Sequence, residues 1–331
     1  MKIVNNIKDI DKSKWNAFVE KHPRGTVFQS YEMFEVYQNT THNQPIAVAV
    51  MEDGRVLGVL LAAFMWNGNA VSKLFTARSI INGGPLALDD DETVLKLLLR
   101  GYRKALPLCT IYSEIRPVFC MDSMGCILKG EGFIRKGHYS LILCLKQNLD
   151  GLFDAMHKKR KREIKKSIEF GLEFKELQTQ EEKRQAVELI KQTYRRKNVP
   201  LAYSDVLTQL NDYLGDYVRY FGAYIEDRII ASKIDLCFNY VVYAWFAGSD
   251  EKFFSYYPND FLMWGLIKWA KKNGFEYLDF GGGGEPGVPY GVRDYKLQYG
   301  CQIFDYGRYQ YFHRPLMYKI GEFGANLIMK K

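Results

Sequence analysis

The sequence has few residues of the kinds that build metal or covalent catalytic sites. It contains five histidines and six cysteines among 331 residues. No two cysteines have the C-x-x-C spacing that is typical of zinc ligands. The G-x-S-x-G and H-E-x-x-H patterns, which mark a serine nucleophile and a catalytic zinc, are also missing. We therefore predict no metal site, and we disfavour a covalent enzyme intermediate.

The sequence also lacks a long apolar run. Residues 1–6 contain no apolar signal core. The longest apolar run, residues 56–66, is too short to cross a bilayer, which takes about 20 residues. Most cysteines lie in apolar runs, where unpaired thiols indicate a reducing compartment. Together these features predict a cytoplasmic protein.

The composition is that of an ordinary globular chain, with 47% hydrophobic and 25% charged residues. A length of 331 residues is enough for two domains. The net charge of +8, from 46 basic and 38 acidic residues, suits an anionic ligand such as a phosphate, a nucleotide or RNA. This charge is too small to require nucleic acid.

The two halves of the chain share a pattern. Residues 49–53 (AVMED) match residues 223–227 (AYIED) at an offset of 174, and both segments lie in predicted β-hairpins. When Gly54 is left out, residues 55–58 match residues 228–231 at an offset of 173. Each hairpin is followed by a loop, a helix and a strand that reaches a carboxylate. The recurring order predicts two copies of one α/β unit with a mixed sheet.

The pattern also gives domain boundaries. A helical spacing of apolar residues starts after Asn148 and ends at Gly171, which predicts one continuous helix at the start of the second half. We therefore predict a first domain over residues 1–147 and a second over residues 148–311. Residues 312–331, which include a predicted helix from 316, are a candidate to pack on the first domain.

The stretch from residue 256 to residue 300 holds the largest group of position-specific residues. Four glycines follow the strand that ends at Asp279, but residues 285–289 (EPGVP) cannot open a helix, which excludes a dinucleotide-binding loop. Lys296 lies between aromatic residues. It is either a solvated strand residue or a cleft cation that stabilises a developing anion.

The strongest charge feature is the basic run over residues 157–166 (HKKRKREIKK). On a helix, such a run is either a solvated face, which we favour, or a phosphate site. A smaller cluster, residues 194–197, ends the next predicted helix, where cations complement the helix dipole and could also contact a phosphate.

Five segments, spread in order over most of the chain, resemble motifs of the FemABX family of peptidoglycan aminoacyltransferases and of the wider group of Fem-like GNAT proteins. Each motif is weak by itself, and the series is fairly specific. The segments are FQS at 28–30, RKREIKKS at 160–167 with Gly171, YPNDFLMW at 257–264, YLDFGG at 277–282 and YKLQYG at 295–300.

This resemblance implies two tandem GNAT-like domains, α/β with mixed sheets, with a cleft between them. It also implies transfer of an acyl group to an amine by direct attack. This chain has no insertion for the coiled-coil arm of some family members. The implied roles are catalytic for Lys296 and Asp279, substrate-binding for Arg196, Tyr243, Tyr256, Asn259 and Tyr37, and tRNA or phosphate binding for Lys158, Lys161 and Lys165.

The resemblance leaves the donor open. Aminoacyl-tRNA is the implied donor, and acyl-coenzyme A is the alternative. GNAT proteins that bind coenzyme A have a glycine-rich loop before a helix, but residues 249–259 contain no glycine. The implied acceptor is a nucleotide- or lipid-linked peptidoglycan precursor, and no bound cofactor is expected.

We expect a monomer. The amphipathic helix predicted over residues 316–329 either packs on the rest of the protein or contacts a membrane that carries a lipid-linked acceptor. Within the same class, the alternative is a coenzyme A-dependent N-acyltransferase of cell-surface polysaccharide synthesis. Outside it, the alternative is a non-catalytic module that binds RNA or anions.

Overall fold

The computed structural model describes residues 1–197 and 205–329. The chain divides into two compact units. Unit 1 comprises Met1–Gly137 and Tyr306–Lys331, and unit 2 comprises His138–Asp305.

The first segment of unit 1 contains a strand, two helices, a long hairpin and a helix that separates two parallel strands. Its elements are β1 (Lys2–Val4), α1 (Lys12–Lys21), α2 (Tyr31–Gln38), β2 (Asn43–Glu52), β3 (Arg55–Met65), α3 (Ala70–Thr76), β4 (Arg78–Asn82), β5 (Leu86–Ala87), α4 (Glu92–Ala105), β6 (Tyr112–Arg116), α5 (Asp122–Gly130) and β7 (Ile134–Lys136).

Unit 2 follows with the same central order. Its elements are β8 (Tyr139–Cys144), α6 (Leu149–Asp154), α7 (Lys158–Glu169), β9 (Glu173–Glu176), α8 (Gln180–Arg196), α9 (Val206–Tyr213), β10 (Val218–Ile225), β11 (Arg228–Phe238), β12 (Val241–Ser249), α10 (Pro258–Lys272), β13 (Tyr277–Gly282), α11 (Gly291–Leu297) and β14 (Gln302–Asp305). The chain then returns to unit 1 with β15 (Arg308–Phe312) and α12 (Pro315–Met329).

Each unit is built around one mixed sheet. Among the described residues, the sheet of unit 1 has the order β1-β2-β3-β4-β6-β15-β7, with β5 paired to β3. The sheet of unit 2 has the order β14-β8-β13-β12-β11-β10-β9. In each sheet one parallel pair, β4 with β6 or β12 with β13, is joined through a helix, as parallel strands require. The predicted mixed α/β class is therefore confirmed.

Helices cover both faces of the second sheet. Successive residues of a strand point to opposite faces. Ala231 of β11 belongs to the apolar core that contains α7 and α10, whereas the hydroxyl of Ser232 donates to the Ala186 carbonyl of α8 at 2.9 Å. Gly248 of β12 allows this close approach of α8, because a Cβ there would lie 2.5 Å from the Ile190 Cα. Strand β11 is consequently buried along almost its whole length.

The two hairpins agree in detail. The β2–β3 hairpin turns at Asp53-Gly54 and the β10–β11 hairpin at Glu226-Asp227, and the first turn residue of each has a positive φ. The register of each hairpin shifts between Val50/Met51 and between Ala223/Tyr224. The turns and shifts thus correspond at a single offset of 173, because 226 − 53 and 223 − 50 are both 173. The offset of 174 in the sequence match aligns Glu52-Asp53 with Glu226-Asp227. The structure instead aligns the turn residues Asp53 and Glu226.

The structural units and the predicted domains differ at both ends of unit 2. Strand β8, predicted to lie in the first domain, pairs with β13 and β14 in the second sheet. Strand β15, predicted to lie in the second domain, pairs with β6 and β7 in the first sheet. Each sheet therefore receives one strand from beyond the predicted boundary, which hydrophobic periodicity does not reveal.

One local prediction also differs from the structure. The predicted continuous helix before Gly171 is two helices, α6 and α7, because the chain breaks at residues 155–157 and His157 caps α7. The longest helix of the described chain, α8, has 17 residues, so the described residues contain no long coiled-coil arm. Of the helices in residues 1–197 and 205–329, none combines the length and apolarity that crossing a membrane needs.

Candidate active site

The two parallel strands of the unit 2 sheet, β12 and β13, separate part of the way along their length. Strands β12 and β13 are paired at Val241–Tyr243 and Tyr277–Asp279, and within the described chain their pairing stops there. Beyond this point β12 continues along β11 to Ser249, and β13 reaches β8 at Gly282. Asp279 and Tyr243, both predicted site residues, are the last register partners before the strands separate.

The equivalent strands of unit 1 do not separate. Strands β4 and β6 remain in register over all five residues of each, from Arg78 with Tyr112 to Asn82 with Arg116. The glycine loop that follows β4 is filled by Gln29, whose side-chain amide donates to the Gly84 carbonyl at 3.1 Å. Gln29 is fully buried. Of the two parallel pairs, the one in unit 2 therefore has an opening beside it that can admit a substrate.

Asp279 and Lys296 form the charged centre at this opening. The Asp279 carboxylate is buried and accepts a hydrogen bond from the Gly281 amide at 2.6 Å. The half-buried Lys296 ammonium donates to the Gly282 carbonyl at 2.8 Å. Gly281 has φ +75°, a conformation that favours glycine and lets the chain turn directly after the carboxylate.

Burial shifts the pKa values of the two groups in opposite directions. It raises the pKa of Asp279 to about 6, although the Gly281 amide and the charge of Lys296 act against this rise. It lowers the pKa of Lys296 to about 8, with the charge of Asp279 opposing the change and that of Lys233 contributing to it. Near neutral pH the pair is therefore a carboxylate and an ammonium, each close to its titration range.

Lys296 lies on a helix, so the alternative that made it a solvated strand residue is wrong. Helix α11 starts at Gly291, two residues after the Gly/Pro-rich stretch, and Lys296 is in its last turn. Tyr295 on the same helix and Tyr299 just after it point into the core of unit 2, where both are packed against buried apolar residues. Two aromatic anchors thus hold the segment that carries the ammonium.

The hydroxyls of these two tyrosines donate hydrogen bonds to a buried ionic network. Asp260 accepts hydrogen bonds from the hydroxyls of Tyr299 at 2.5 Å and Tyr295 at 3.2 Å. It also pairs with the Arg160 guanidinium at 2.5 Å, and Arg160 in turn pairs with Glu163 at 2.6 Å. Burial raises the pKa of Tyr299 well above its ordinary value, so its hydroxyl remains a donor. The network connects α7, α10 and the segment around Lys296.

Sequence reasoning placed Arg160 in a basic run and did not find this network. Arg160 interrupts the apolar stripe of its helix, and that interruption was the available signal. Sequence reasoning also missed the buried pair of Lys233 and Asp235 on β11, whose Nζ and Oδ1 atoms are 3.1 Å apart. Two opposite charges two residues apart in an otherwise apolar strand indicate such a pair, because i and i+2 share a face.

Two predicted substrate-binding residues meet at the loop between β12 and α10. The Arg196 guanidinium donates to the Ser249 carbonyl at 3.4 Å and lies 3.5 Å from the carboxylate of Glu251. The side-chain amide of Asn259 donates to the Ser249 hydroxyl at 3.1 Å. Both side chains therefore tie down this loop. Tyr257 ends it with φ +55°, although it is not a glycine.

The two remaining predicted tyrosines lie in different units, Tyr256 in this loop of unit 2 and Tyr37 in unit 1. Tyr256 packs between the rings of Phe170 and Phe253, with ring centroids 5.0 and 5.7 Å away. Tyr37 belongs to unit 1, where it is buried and its hydroxyl accepts a hydrogen bond from Asn82 at 3.1 Å.

The predicted tRNA or phosphate residues lie on α7. Lys158 and Lys165 are exposed, and Lys161 is half-buried with its ammonium 3.2 Å from the Asp154 carbonyl. The intervening Arg160 and Glu163 point inwards. The cationic surface of α7 is consequently narrower than the basic run suggested.

The arrangement at the opening suits stabilisation of negative charge. A half-buried ammonium interacts with a developing oxyanion more strongly than one in bulk water. The buried carboxylate beside it keeps the ammonium protonated. No group of three or more metal-ligating side chains that could hold a metal ion occurs in the described part of the chain.

Comparison with known proteins agrees with this geometry. Residues 155–297 match the family model of the acetyltransferase (GNAT) domain. The crystal structure of FemX is similar over 97% of this chain and 99% of its own, with a TM-score of 0.75 and 16% identity. No curated protein sequence matches the chain significantly.

Two further solved structures have a similar fold. L-PGS from Bacillus licheniformis matches with a TM-score of 0.60 and 15% identity, over 94% of this chain and 96% of its own. A tandem GNAT protein from the clavulanic acid biosynthesis pathway (without AcCoA) matches with a TM-score of 0.58 and 11% identity, over 94% and 98%. The predicted resemblance to Fem-like GNAT proteins is confirmed. Residues 155–297, which lie in unit 2, therefore match a GNAT domain, and the whole chain has a fold similar to those of FemX and the tandem GNAT protein.

Proposed function

We propose that this protein transfers an aminoacyl group from charged tRNA to an amine of a peptidoglycan precursor. The observation that carries the proposal is the position of Lys296. Its ammonium lies at the opening of the GNAT sheet, held by the Gly282 carbonyl and balanced by Asp279. The similarity of the whole chain to FemX supports the substrate class.

The proposed reaction needs no covalent enzyme intermediate. The acceptor amine attacks the carbonyl carbon of the aminoacyl ester, so that a C–N bond forms and the carbonyl oxygen gains negative charge. Lys296 stabilises this oxyanion. The C–O bond then breaks, and the proton lost by the amine passes to the leaving hydroxyl of tRNA. Asp279 favours the charged form of Lys296 throughout.

The loop before α10 favours tRNA over coenzyme A as the donor. In GNAT proteins a pyrophosphate is held by open backbone amides at a helix start. Here the loop has no glycine, and Arg196 and Asn259 bind its own Ser249. We propose that Tyr243 and Tyr256 contact the acyl donor in unit 2. Tyr37 of unit 1 stays a predicted substrate-binding residue.

A donor comparison tests this function. Purified protein receives charged tRNA or acetyl-coenzyme A in parallel, with a nucleotide-linked pentapeptide as acceptor, and the product is measured by mass spectrometry. We expect product with charged tRNA alone. Reversing the charges of Lys158, Lys161 and Lys165 should raise the KM for tRNA without changing the fold. Product formed only with acetyl-coenzyme A would mean that the donor is acyl-coenzyme A and not charged tRNA. RNA binding without any product would favour a non-catalytic module that binds RNA.

The pH dependence of transfer tests the role of the charged pair. Lys296 must be protonated, so the rate should fall as the pH rises through about 8, the pKa of Lys296. Since Asp279 raises that pKa, Asp279→Asn should move the alkaline limb to lower pH. Lys233→Met should move it to higher pH, because the charge of Lys233 lowers the same pKa.

The measurement is the pH profile of kcat/KM for the wild type and both variants. A parallel measurement, competitive chemical labelling of Lys296 against pH, reports its pKa without any transfer. Identical alkaline limbs in all three proteins would exclude Lys296 as the titrating group.

A further inference from the structure

An apolar patch lies on the surface of unit 1, on helices α3 and α12. The residues of this apolar patch are Val71, Leu74, Phe75, Leu316 and Ile320. Their exposed fractions are 67, 47, 43, 77 and 54%. Contiguous exposed apolar side chains of this size mark an interaction site in a folded protein.

The two helices lie next to each other. Helices α3 and α12 pack against each other, and a Cβ on Gly321 of α12 would lie 3.1 Å from the Phe75 carbonyl of α3. Trp66 lies at the edge of α3, with the Lys73 ammonium 3.9 Å from the centre of its ring. A tryptophan and a lysine beside aliphatic side chains are typical of a surface at the boundary between water and lipid.

The charge around the patch is almost entirely positive. Residues 70–78 and 314–322 contribute four cations, Lys73, Arg78, Arg314 and Lys319, against one carboxylate, Glu322. A second copy of this surface, related by two-fold symmetry, would bring these cations together. An anionic bilayer would instead supply opposite charge around an apolar interior.

We propose that the apolar patch is a peripheral membrane-binding surface that inserts into the interfacial layer of anionic phospholipid bilayers. The five apolar side chains enter the boundary between headgroups and acyl chains. Lys73, Lys319 and Arg314 remain at the level of the phosphates. Binding is therefore reversible, sensitive to salt and dependent on anionic lipid.

Co-sedimentation of the full chain with vesicles tests this surface. The probes are vesicles of phosphatidylcholine alone and of equal parts phosphatidylcholine and phosphatidylglycerol. We expect binding to the anionic vesicles, and a decrease of about tenfold in affinity between low and high salt, because surface electrostatics are screened. Leu74→Ser/Phe75→Ser/Leu316→Ser should weaken binding at least about tenfold, since three inserted apolar side chains are lost.

Two controls separate the surface from general effects. Leu108→Ser removes an apolar side chain of unit 1 that is 92% exposed and not part of the patch, and it should bind like the wild type. Arg314→Glu/Lys319→Glu should reduce binding to anionic vesicles only. Circular dichroism and sedimentation velocity of each variant report folding and self-association.

Three outcomes would overturn the proposal. They are wild-type protein that stays in the supernatant with anionic vesicles, a triple variant that binds as tightly as the wild type, and a wild-type dimer that the triple variant dissociates without any vesicle binding. None of these measurements depends on acyl transfer, so they do not test the proposed donor or acceptor.

Discussion

Replacing Lys296 by methionine should lower the rate of transfer by about 10²–10³-fold, the usual effect of removing one group that stabilises an oxyanion. Methionine retains the length of the side chain but carries no charge. The decrease should appear in kcat more than in KM, because the oxyanion develops in the transition state and is absent from the bound substrate. Single-turnover measurements with a saturating acceptor separate these two effects.

The structure offers a matched control for this substitution. Lys268 is another lysine of unit 2, exposed on α10, with its ammonium 6.0 Å from the ring of Trp264. Lys268→Met should leave transfer unchanged within about twofold, since an exposed charge contributes little. A Lys296→Met protein that folds and still transfers at the wild-type rate would rule out the proposed role of Lys296.

The second large effect is expected at the buried network, where Asp260→Ala should lower the free energy of unfolding by about 3–5 kcal/mol. The substitution leaves the Arg160 guanidinium buried with Glu163 as its remaining ionic partner. It also removes the acceptor of Tyr295 and Tyr299, and thus an anchor of the segment that carries Lys296. Transfer should fall as well, because Lys296 is then less precisely positioned.

Urea denaturation monitored by tryptophan fluorescence measures this effect, since Trp264 and Trp269 lie on the same helix as Asp260. Glu276→Ala is the control, because Glu276 forms an exposed ion pair with Lys146 at 2.9 Å. It should cost no more than about 1 kcal/mol. A cost for Asp260→Ala as small as that of the control would show that the network does not stabilise unit 2.

A double variant tests whether the network acts as a unit. Arg160→Met by itself leaves two buried carboxylates without an ionic partner, whereas Arg160→Met/Asp260→Ala removes both members of the Arg160–Asp260 pair. The combined cost should therefore be clearly smaller than the sum of the two single costs. Simple additivity would mean that Arg160 and Asp260 contribute independently.

Local elements followed from local patterns. The hairpin around Gly54 and the strand that reaches Asp279 depend on neighbouring residues, and the structure has both. The repeated order of hairpin, helix and strand also predicted two similar units. Such features are readable because turn preferences, helix capping and alternation act over a few residues.

The domain boundaries and the strand partners did not follow from local patterns. The β8 strand pairs with β13, more than 130 residues later, and β15 pairs with β6, almost 200 residues earlier. Nothing in the alternation of a strand specifies which edge it joins, because every strand presents the same backbone donors and acceptors. The domain limits inferred from helix periodicity therefore differed from the structural units at both ends of unit 2.

The sequence by itself determined the mixed α/β class, the internal repeat and the choice of Lys296 and Asp279 as the residues to examine. Only the tertiary structure decided that Lys296 lies on a helix, that Arg160 faces Asp260 instead of solvent, and that the parallel strands of unit 2 separate at Tyr243 and Asp279. The physical reason is that local preferences act along the chain, whereas burial, pairing of charges and separation of strands depend on residues that only folding brings together.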